Sequence, residues 1–233
     1  MANCYHHPVS RRGKFITFEG LDGCGKSTQL EKLAAALRAD GLEVVVTREP
    51  GGTASGERIR QILLDSATTG LSPLTEMALM FASRTQHLRE VILPGLHVGK
   101  YVLCDRFTDS TEAYQGGGRK LGSQAVLDLH RILCENVWPD LTILMESDVS
   151  ASVQRARRRN QLKANDGSGE SDENRFEQES RAFFTRVHDT FHVIAQREPG
   201  RVVVVNARGT PEETHGRILE IVRTRFKLAA KSA

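Results

Sequence analysis

Gly20-Leu-Asp-Gly-Cys-Gly25-Lys26-Ser27 has the spacing G-x-x-x-x-G-K-[ST], and Lys14-Phe-Ile-Thr-Phe-Glu19 stands directly before it. The preceding run reads as a β-strand. Behind the glycines, Leu30, Leu33, Ala34 and Leu37 recur at helical spacing between Ser27 and Ala39, and Asp40-Gly41 supplies a stop. Strand, glycine-rich turn and helix together make a phosphate cradle. The glycines let backbone N–H groups turn inward around phosphate oxygens. Lys26 brings a point charge to the β- and γ-phosphates, and the Ser27 hydroxyl is a ligand type for Mg2+. The helix aims its positive dipole end at the anion. The predicted triphosphate-binding residues are Gly20, Leu21, Asp22, Gly23, Cys24, Gly25, Lys26, Ser27 and Thr28. Cys24 reads as a small side chain filling the tight turn rather than as a redox switch.

Outward from this unit, residues 43–47, 101–105, 141–145 and 201–206 read as four further strands. Helices are predicted over about 57–65, 73–94, 123–137, 150–159, 176–196 and 211–226. Strands alternating with helices imply a parallel sheet with right-handed crossovers. The expected fold is α/β: a three-layer domain of five parallel strands with helices on both faces. The uninterrupted valines of 43–47 suit a sheet covered on both sides. Residues 1–12 read as a polar tail and 13–233 as one domain. The polar stretch 161–174, with Asp166-Gly-Ser-Gly-Glu-Ser-Asp-Glu173 inside it, cannot bury a core. It is expected to be mobile, within a lid spanning about 155–176.

Composition removes several classes. Of 233 residues, 39% are hydrophobic and 26% charged, an ordinary soluble balance. No run approaches the ~18 apolar residues of a membrane span, and the N-terminus has no apolar core of signal-peptide length, so a cytoplasmic protein is expected. A net charge of +3 is too small to argue for nucleic acid. Four cysteines at irregular spacings contain no C-x-x-C pair, which leaves a zinc site or redox dithiol unsupported. The eight histidines are read as surface or core residues without metal-ligand spacing.

A phosphate cradle alone does not say what is done with the triphosphate. The arginines narrow it. Arg48 follows the second strand, and Arg106 follows the third, directly behind Asp105. Ligands of doubly wound sheets gather at the carboxyl ends of strands, so both arginines should face the cradle. Asp105 stands where P-loop proteins carry their metal-side carboxylate. Arg155, Arg157, Arg158 and Arg159 follow the fourth strand and abut the polar stretch, as lid residues would. Cations around a phosphate cradle point to phosphoryl transfer onto a small anion. A GTP-dependent switch would need a guanine-reading N-K-x-D sequence, which is absent. A non-catalytic nucleotide module is opposed by the intact Lys26, Ser27, Asp105 and Arg106.

Phe18-Glu-Gly-Leu-Asp-Gly-x-Gly-Lys-Ser-Thr28, Thr47-Arg-Glu-Pro-Gly-Gly-Thr53, Asp105-Arg-Phe and Ala113-Tyr-Gln-Gly-Gly-Gly-Arg119 together resemble bacterial thymidylate kinase. Arg155-x-Arg-Arg-Arg159 and Arg175-Phe-Glu-Gln-Glu179 add to the resemblance, which spans about 14–226. It implies a P-loop kinase fold, a homodimer, and transfer from Mg-ATP to dTMP, giving ADP and dTDP on the way to dTTP, with no nucleic-acid or membrane partner. Arg48 and Arg106 would hold the acceptor phosphate, with Asp22 near acceptor and metal. Arg84 would reach the thymine carbonyl, and Ser110 and Thr111 would lie by its polar edge. Tyr114 would crowd the sugar against a 2′-hydroxyl, and Gln115 would line the same pocket. Ser27 and Asp105 would serve the metal. One subclass carries an arginine where this chain has Gly23 and Cys24, so Arg155 and Arg159 would join Lys26 in supplying catalytic charge. The family's base-stacking aromatic is replaced by Met80. Met80 would then contact the base, with Phe81 either partly serving or belonging to the core. A kinase for another nucleoside monophosphate is the alternative.

Overall fold

In a computed structural model of the protein, residues 12–165 and 174–228 are described. Five parallel strands form one sheet: β1 (Lys14–Glu19), β2 (Val44–Arg48), β3 (Tyr101–Asp105), β4 (Leu141–Glu146) and β5 (Val202–Asn206), in the order β2-β3-β1-β4-β5. Between them run α1 (Lys26–Ala39), α2 (Ala54–Leu64), α3 (Pro73–His87), α4 (Leu93–His97), α5 (Thr108–Thr111), α6 (Ser123–Leu133), α7 (Val149–Asn165), α8 (Arg181–Arg197) and α9 (Pro211–Phe226). The strand period of two divides the core. Ile16, Phe18, Leu103 and Ile143 pack against Leu30, Leu33 and Leu37 of α1 and Ile218 and Val222 of α9. Phe15, Val102 and Cys104 meet Met77 and Phe81 of α3, Leu96 of α4 and Val126 of α6 on the other face. This is the three-layer α/β arrangement expected from the sequence. No described helix is long and apolar enough to cross a membrane.

Several bounds differ from the sequence expectation, each for a local reason. The side chain of Thr53 accepts a hydrogen bond from the Gly56 N–H, so α2 begins at Ala54 rather than near residue 57. The helix expected over 73–94 is interrupted by wider π turns over Leu88–Ile92, just before Pro94, whose ring removes a backbone donor. α6 stops at Leu133, and Glu135 and Asn136 turn the chain at φ 52° and 55°. α8 begins at Arg181 because Ser180 caps it through the Phe183 N–H. α7 runs to Asn165, past the expected end at 159. Thr108 to Gly118, left without an element by the sequence pattern, is helical: α5 followed by a π segment, Glu112–Gly118. β2 lies at the sheet edge, and its valines are half-buried rather than covered on both sides. Of the predicted tail only Arg12 is described, and it donates to Asp140 at 2.9 Å. Residues 1–11, and the part of the predicted lid at 166–173, lie outside the described residues.

Candidate active site

The register sets Arg48 of β2 and Phe18 of β1 opposite Asp105 of β3, so three strands end level. The Glu49 N–H donates to the Asp105 carbonyl at 2.9 Å and the Arg106 N–H to the Phe18 carbonyl at 3.0 Å, which carries the pairing just past the strands. Over this edge opens a cavity of about 1020 Å3. Gly25, Lys26, Ser27 and Thr28 form one part of its wall, and Arg48, Arg84 and Arg106 another. Met80, Ser110, Thr111, Tyr114 and Gln115 line a further part of it. The two halves of the predicted site therefore share one space.

The cradle requires glycine for steric reasons. A Cβ on Gly20 would stand 2.6 Å from the Met145 carbonyl oxygen, and one on Gly23 would stand 2.3 Å from that of Ser152. Their φ angles are +130° and +79°, where side chains are strained in any case. Lys26 is buried, and its ammonium donates to the carbonyls of Gly20 at 3.1 Å and Leu21 at 2.9 Å. Leu21 and Cys24 pack inward rather than line the cavity. Burial pushes the Cys24 thiol above its ordinary pKa, in keeping with a turn-filling role. Ser27 Oγ donates to Asp105 Oδ2 at 2.8 Å, and Asp105 Oδ1 is buried without a hydrogen-bond partner.

Arg106 is constrained in both backbone and side chain. Its backbone lies at φ 71°, a conformation that costs a non-glycine residue roughly 1–2 kcal/mol. Its guanidinium donates to Asp22 Oδ1 at 2.7 Å, Ser110 Oγ at 2.8 Å and the Tyr114 hydroxyl at 3.2 Å, and it lies 4.9 Å from the Tyr114 ring centre. The Tyr114 hydroxyl in turn donates to Asp22 Oδ2 at 3.1 Å. Burial works against the Arg106 charge, yet Asp22 and its neighbours hold its pKa well above the ordinary value.

Arg84 is almost wholly buried, at 2% exposure. Its Nε donates to Glu49 at 2.7 Å and its Nη2 to Thr111 Oγ1 at 2.9 Å. Phe81 and Phe107 flank the guanidinium at 4.9 and 5.1 Å from their ring centres. The remaining nitrogen, Nη1, is buried without a partner. Gln115 mirrors this: Nε2 donates to Glu76 at 2.8 Å, while Oε1 is buried and unpaired. One donor and one hydrogen-bond acceptor are thus left over beside the cavity.

The structure divides the predicted base contacts. Met80 lines the cavity. Phe81 does not line the cavity: it is fully buried in the core, with its ring 4.9 Å from the Arg84 guanidinium, the second of the two places the sequence left open for it. Arg48 lines the cavity but is 54% exposed and pairs with Glu57 at 3.0 Å. Arg155 reaches the cradle from α7, donating to the Gly23 carbonyl at 2.8 Å. Arg159 lies one turn further along α7, and its side chain is outside the described residues.

Two carboxylates were missed by sequence reasoning. Glu49, inside the Arg-Glu-Pro-Gly-Gly-Thr block, holds Arg84 on one oxygen and His87 Nδ1, at 2.8 Å, on the other. Its arginine partner is 35 residues away in sequence. Glu19 accepts from the Phe107 N–H at 2.7 Å and from the Ser110 hydroxyl. Burial, and then the charge of Asp109, push its carboxyl up to about 8. The only signal for Glu19 was an acidic residue closing an otherwise apolar strand.

A nucleotide cradle facing fixed arginines across one cavity is the arrangement of P-loop kinases that phosphorylate small phosphate-bearing acceptors, and this chain is of that class. Residues 18–218 match the sequence model described as Thymidylate kinase, and the chain belongs to that family. It is 46% identical over 212 residues to a thymidylate kinase of Trichlorobacter lovleyi, covering 91% of this chain and 98% of the relative. With one from Pseudomonas syringae pv. tomato it shares 48% over 195 residues, covering 84% and 88%. The crystal structure of thymidylate kinase from Ehrlichia chaffeensis superposes with a TM-score of 0.72 at 32% identity, covering 91% of this chain and 99% of that one.

Proposed function

We propose that the protein transfers the γ-phosphoryl group of ATP to dTMP, giving ADP and dTDP. The observation that carries this reading is the single cavity lined by both the Lys26–Ser27 cradle and the Arg106–Asp22–Tyr114 cluster. The acceptor phosphate is already an anion at neutral pH, so no general base is needed. The barrier lies in charge repulsion and alignment, which positioned cations address. Arg48 and Arg106 hold the acceptor phosphate, and Asp22 and Tyr114 hold Arg106. Lys26 turns from its loop carbonyls to the donor phosphates. Arg155 and Arg159 add charge from α7, and an arginine in such a place contributes ~10³-fold or more in rate.

The Ser27 hydroxyl and the Asp105 carboxylate, with Oδ1 unpaired, are hard oxygen donors that fit Mg2+. When bound, Mg2+ neutralises charge on the β- and γ-phosphate oxygens. Thymine presents carbonyls and a ring N–H, and the spare Arg84 Nη1 and Gln115 Oε1 offer the matching donor and acceptor. Met80 packs on the base, Ser110 and Thr111 border its polar edge, and Tyr114 crowds a 2′-hydroxyl. The protein works as a homodimer, a reading supported by exposed Leu74 on α3 and Ile132 and Leu133 on α6, two helices that pack together.

The test is ATP-dependent phosphorylation of dTMP, dUMP, CMP, AMP and GMP, run side by side. Preference for dTMP is expected. Preference for any other acceptor overturns the assignment.

A further inference from the structure

Away from the acceptor cavity, Glu146, His188 and His192 bring one carboxylate oxygen and two ring nitrogens within 4.8 Å of one another. No metal-ligand spacing among the histidines is expected from the sequence. Yet His188 and His192 are i and i+4 on α8 and so share a face. The carboxylate comes from the last residue of β4, which only the fold places opposite them.

The distances from His192 to its two neighbours suit a tetrahedral ion. Bonds of ~2.0–2.1 Å at tetrahedral angles hold ligand atoms ~3.3–3.4 Å apart. Here the two Nε2 atoms are 3.2 Å apart, and His192 Nε2 is 3.4 Å from Glu146 Oε1. The Nδ1 of His188 stands 3.4 Å from the Asp189 carboxylate, which favours presenting Nε2. The three side chains are 29–41% exposed, so an ion can enter and keep a solvent ligand. Two imidazoles and one carboxylate suit Zn2+-class metals, whereas Mg2+ prefers oxygen alone.

We propose that Glu146, His188 and His192 bind a divalent transition metal of the Zn2+ class, separately from the Ser27–Asp105 pair. The ion clamps α8 to the end of β4. The same residues line a small cleft with Gly20 and Leu21 of the cradle. On its inner face α8 carries Phe183 and Phe191, whose rings pack edge-on against Tyr114. The clamp thus stiffens the layer behind both the cradle and the acceptor pocket.

The experiment is calorimetric titration of the full chain with ZnCl2, together with its unfolding temperature in ZnCl2 and in MgCl2. His188→Ala, His192→Ala and Glu146→Gln are measured alongside. One saturable Zn2+ equivalent is expected, with a rise in unfolding temperature that MgCl2 does not give. Each histidine variant should bind at least about tenfold more weakly, on the scale of lost metal-site partners. Their turnover with Mg2+ and without Zn2+ should stay within about twofold, which confirms that they fold. Absence of saturable binding overturns the site. So does undiminished affinity in the histidine variants, which would place the ion elsewhere, for example at cysteines.

Discussion

Arg84→Met separates holding the acceptor pocket together from recognising the acceptor. Methionine keeps much of the apolar stem. It removes the guanidinium, and with it the 2.7 Å pair to Glu49, the 2.9 Å bond to Thr111 and the stacking on Phe81 and Phe107. Glu49 stays 3% exposed, with His87 Nδ1 at 2.8 Å as the partner that remains on its carboxylate. Breaking a buried pair from one side costs ~3–5 kcal/mol. The hydrogen bond from His87 stays on that carboxylate, so the lower end, ~3 kcal/mol, is expected. Arg84→Met/Glu49→Gln removes both charges and should recover stability to within ~1–2 kcal/mol of the parent. Recognition should not recover. A charge-assisted bond from Nη1 to a thymine carbonyl contributes ~1.5–3 kcal/mol, which at ~1.4 kcal/mol per tenfold is ~10- to 150-fold in KM for dTMP. Urea unfolding and steady-state kinetics on the parent, both single variants and the double variant supply the four corners of the cycle. If the double variant regains both its stability and its dTMP KM, Arg84 is a structural residue and the base contact is wrong.

Lys26→Ala and Arg106→Ala should each lower kcat by ~10³-fold or more while leaving far-UV circular dichroism unchanged, and near-normal turnover in either contradicts the assigned roles. Glu19 has a folded pKa of about 8, against 4.5 for the free side chain, because burial and then Asp109 disfavour its charge. The folded state therefore holds a proton that the unfolded chain has released, so this group's contribution is full below pH 4.5 and is lost as pH rises to about 8. Glu19→Gln, which stays neutral throughout, should flatten that fall in unfolding free energy, and an unchanged slope between those limits counts against the shift. Gly23→Ala adds a Cβ 2.3 Å from the Ser152 carbonyl at φ +79°, so it should cost more than ~1 kcal/mol in stability and lower kcat by displacing α7 and Arg155. Normal stability with normal kcat would show that the cradle and α7 are not in such close contact.

The elements legible in the sequence are those whose signal is local. Strand, glycine turn and amphipathic helix announced the cradle, and the five apolar runs became the five strands. Arg48 and Arg106 were found because a strand end is visible in the sequence and parallel strands end together. Pairings across the fold were not legible. Nothing near Glu49 names Arg84, and nothing near Glu146 names two histidines on α8. Phe81 could not be assigned because i+3 and i+4 neighbours of Arg84 both satisfy helical spacing. Only packing shows that Met80 faces the cavity while Phe81 supports the guanidinium from behind. The segment from Thr108 to Gly118 went unread because three consecutive glycines, Gly116–Gly118, argue against a helix, and tertiary packing overrides them. Gly117 and Gly118 lie so close to Thr190 and Phe183 of α8 that a Cβ would stand 2.0 Å and 2.5 Å from their side chains.

The same cross-fold pairings explain how so many cations are placed in a small volume. Arg84 is held by Glu49, Arg106 by Asp22, Arg197 by Glu112 and Arg201 by Asp109, and Arg119 and Arg175 share Glu76. A carboxylate on each arginine, buried in every pair except that of the part-exposed Asp22, offsets its desolvation and holds its fork in place, which is the requirement for electrostatic preorganisation. The cost is that each carboxylate also screens the cation it holds. Arg106 and Arg84 resolve this by geometry. Arg106 is anchored to Asp22, Ser110 and Tyr114 and still faces the cavity, and Arg84 keeps Nη1 unpaired. Arg48 follows the opposite design. It is half-exposed and held by the surface carboxylate Glu57, and an exposed pair of this kind contributes only ~0–1 kcal/mol, so it is easily exchanged for a phosphate. On the proposed reading, the acceptor side combines cations fixed by their partners with one that an incoming anion can draw from its surface pair. On that division Arg48→Ala should raise the acceptor KM far more than it lowers kcat, whereas Arg106→Ala should do the reverse.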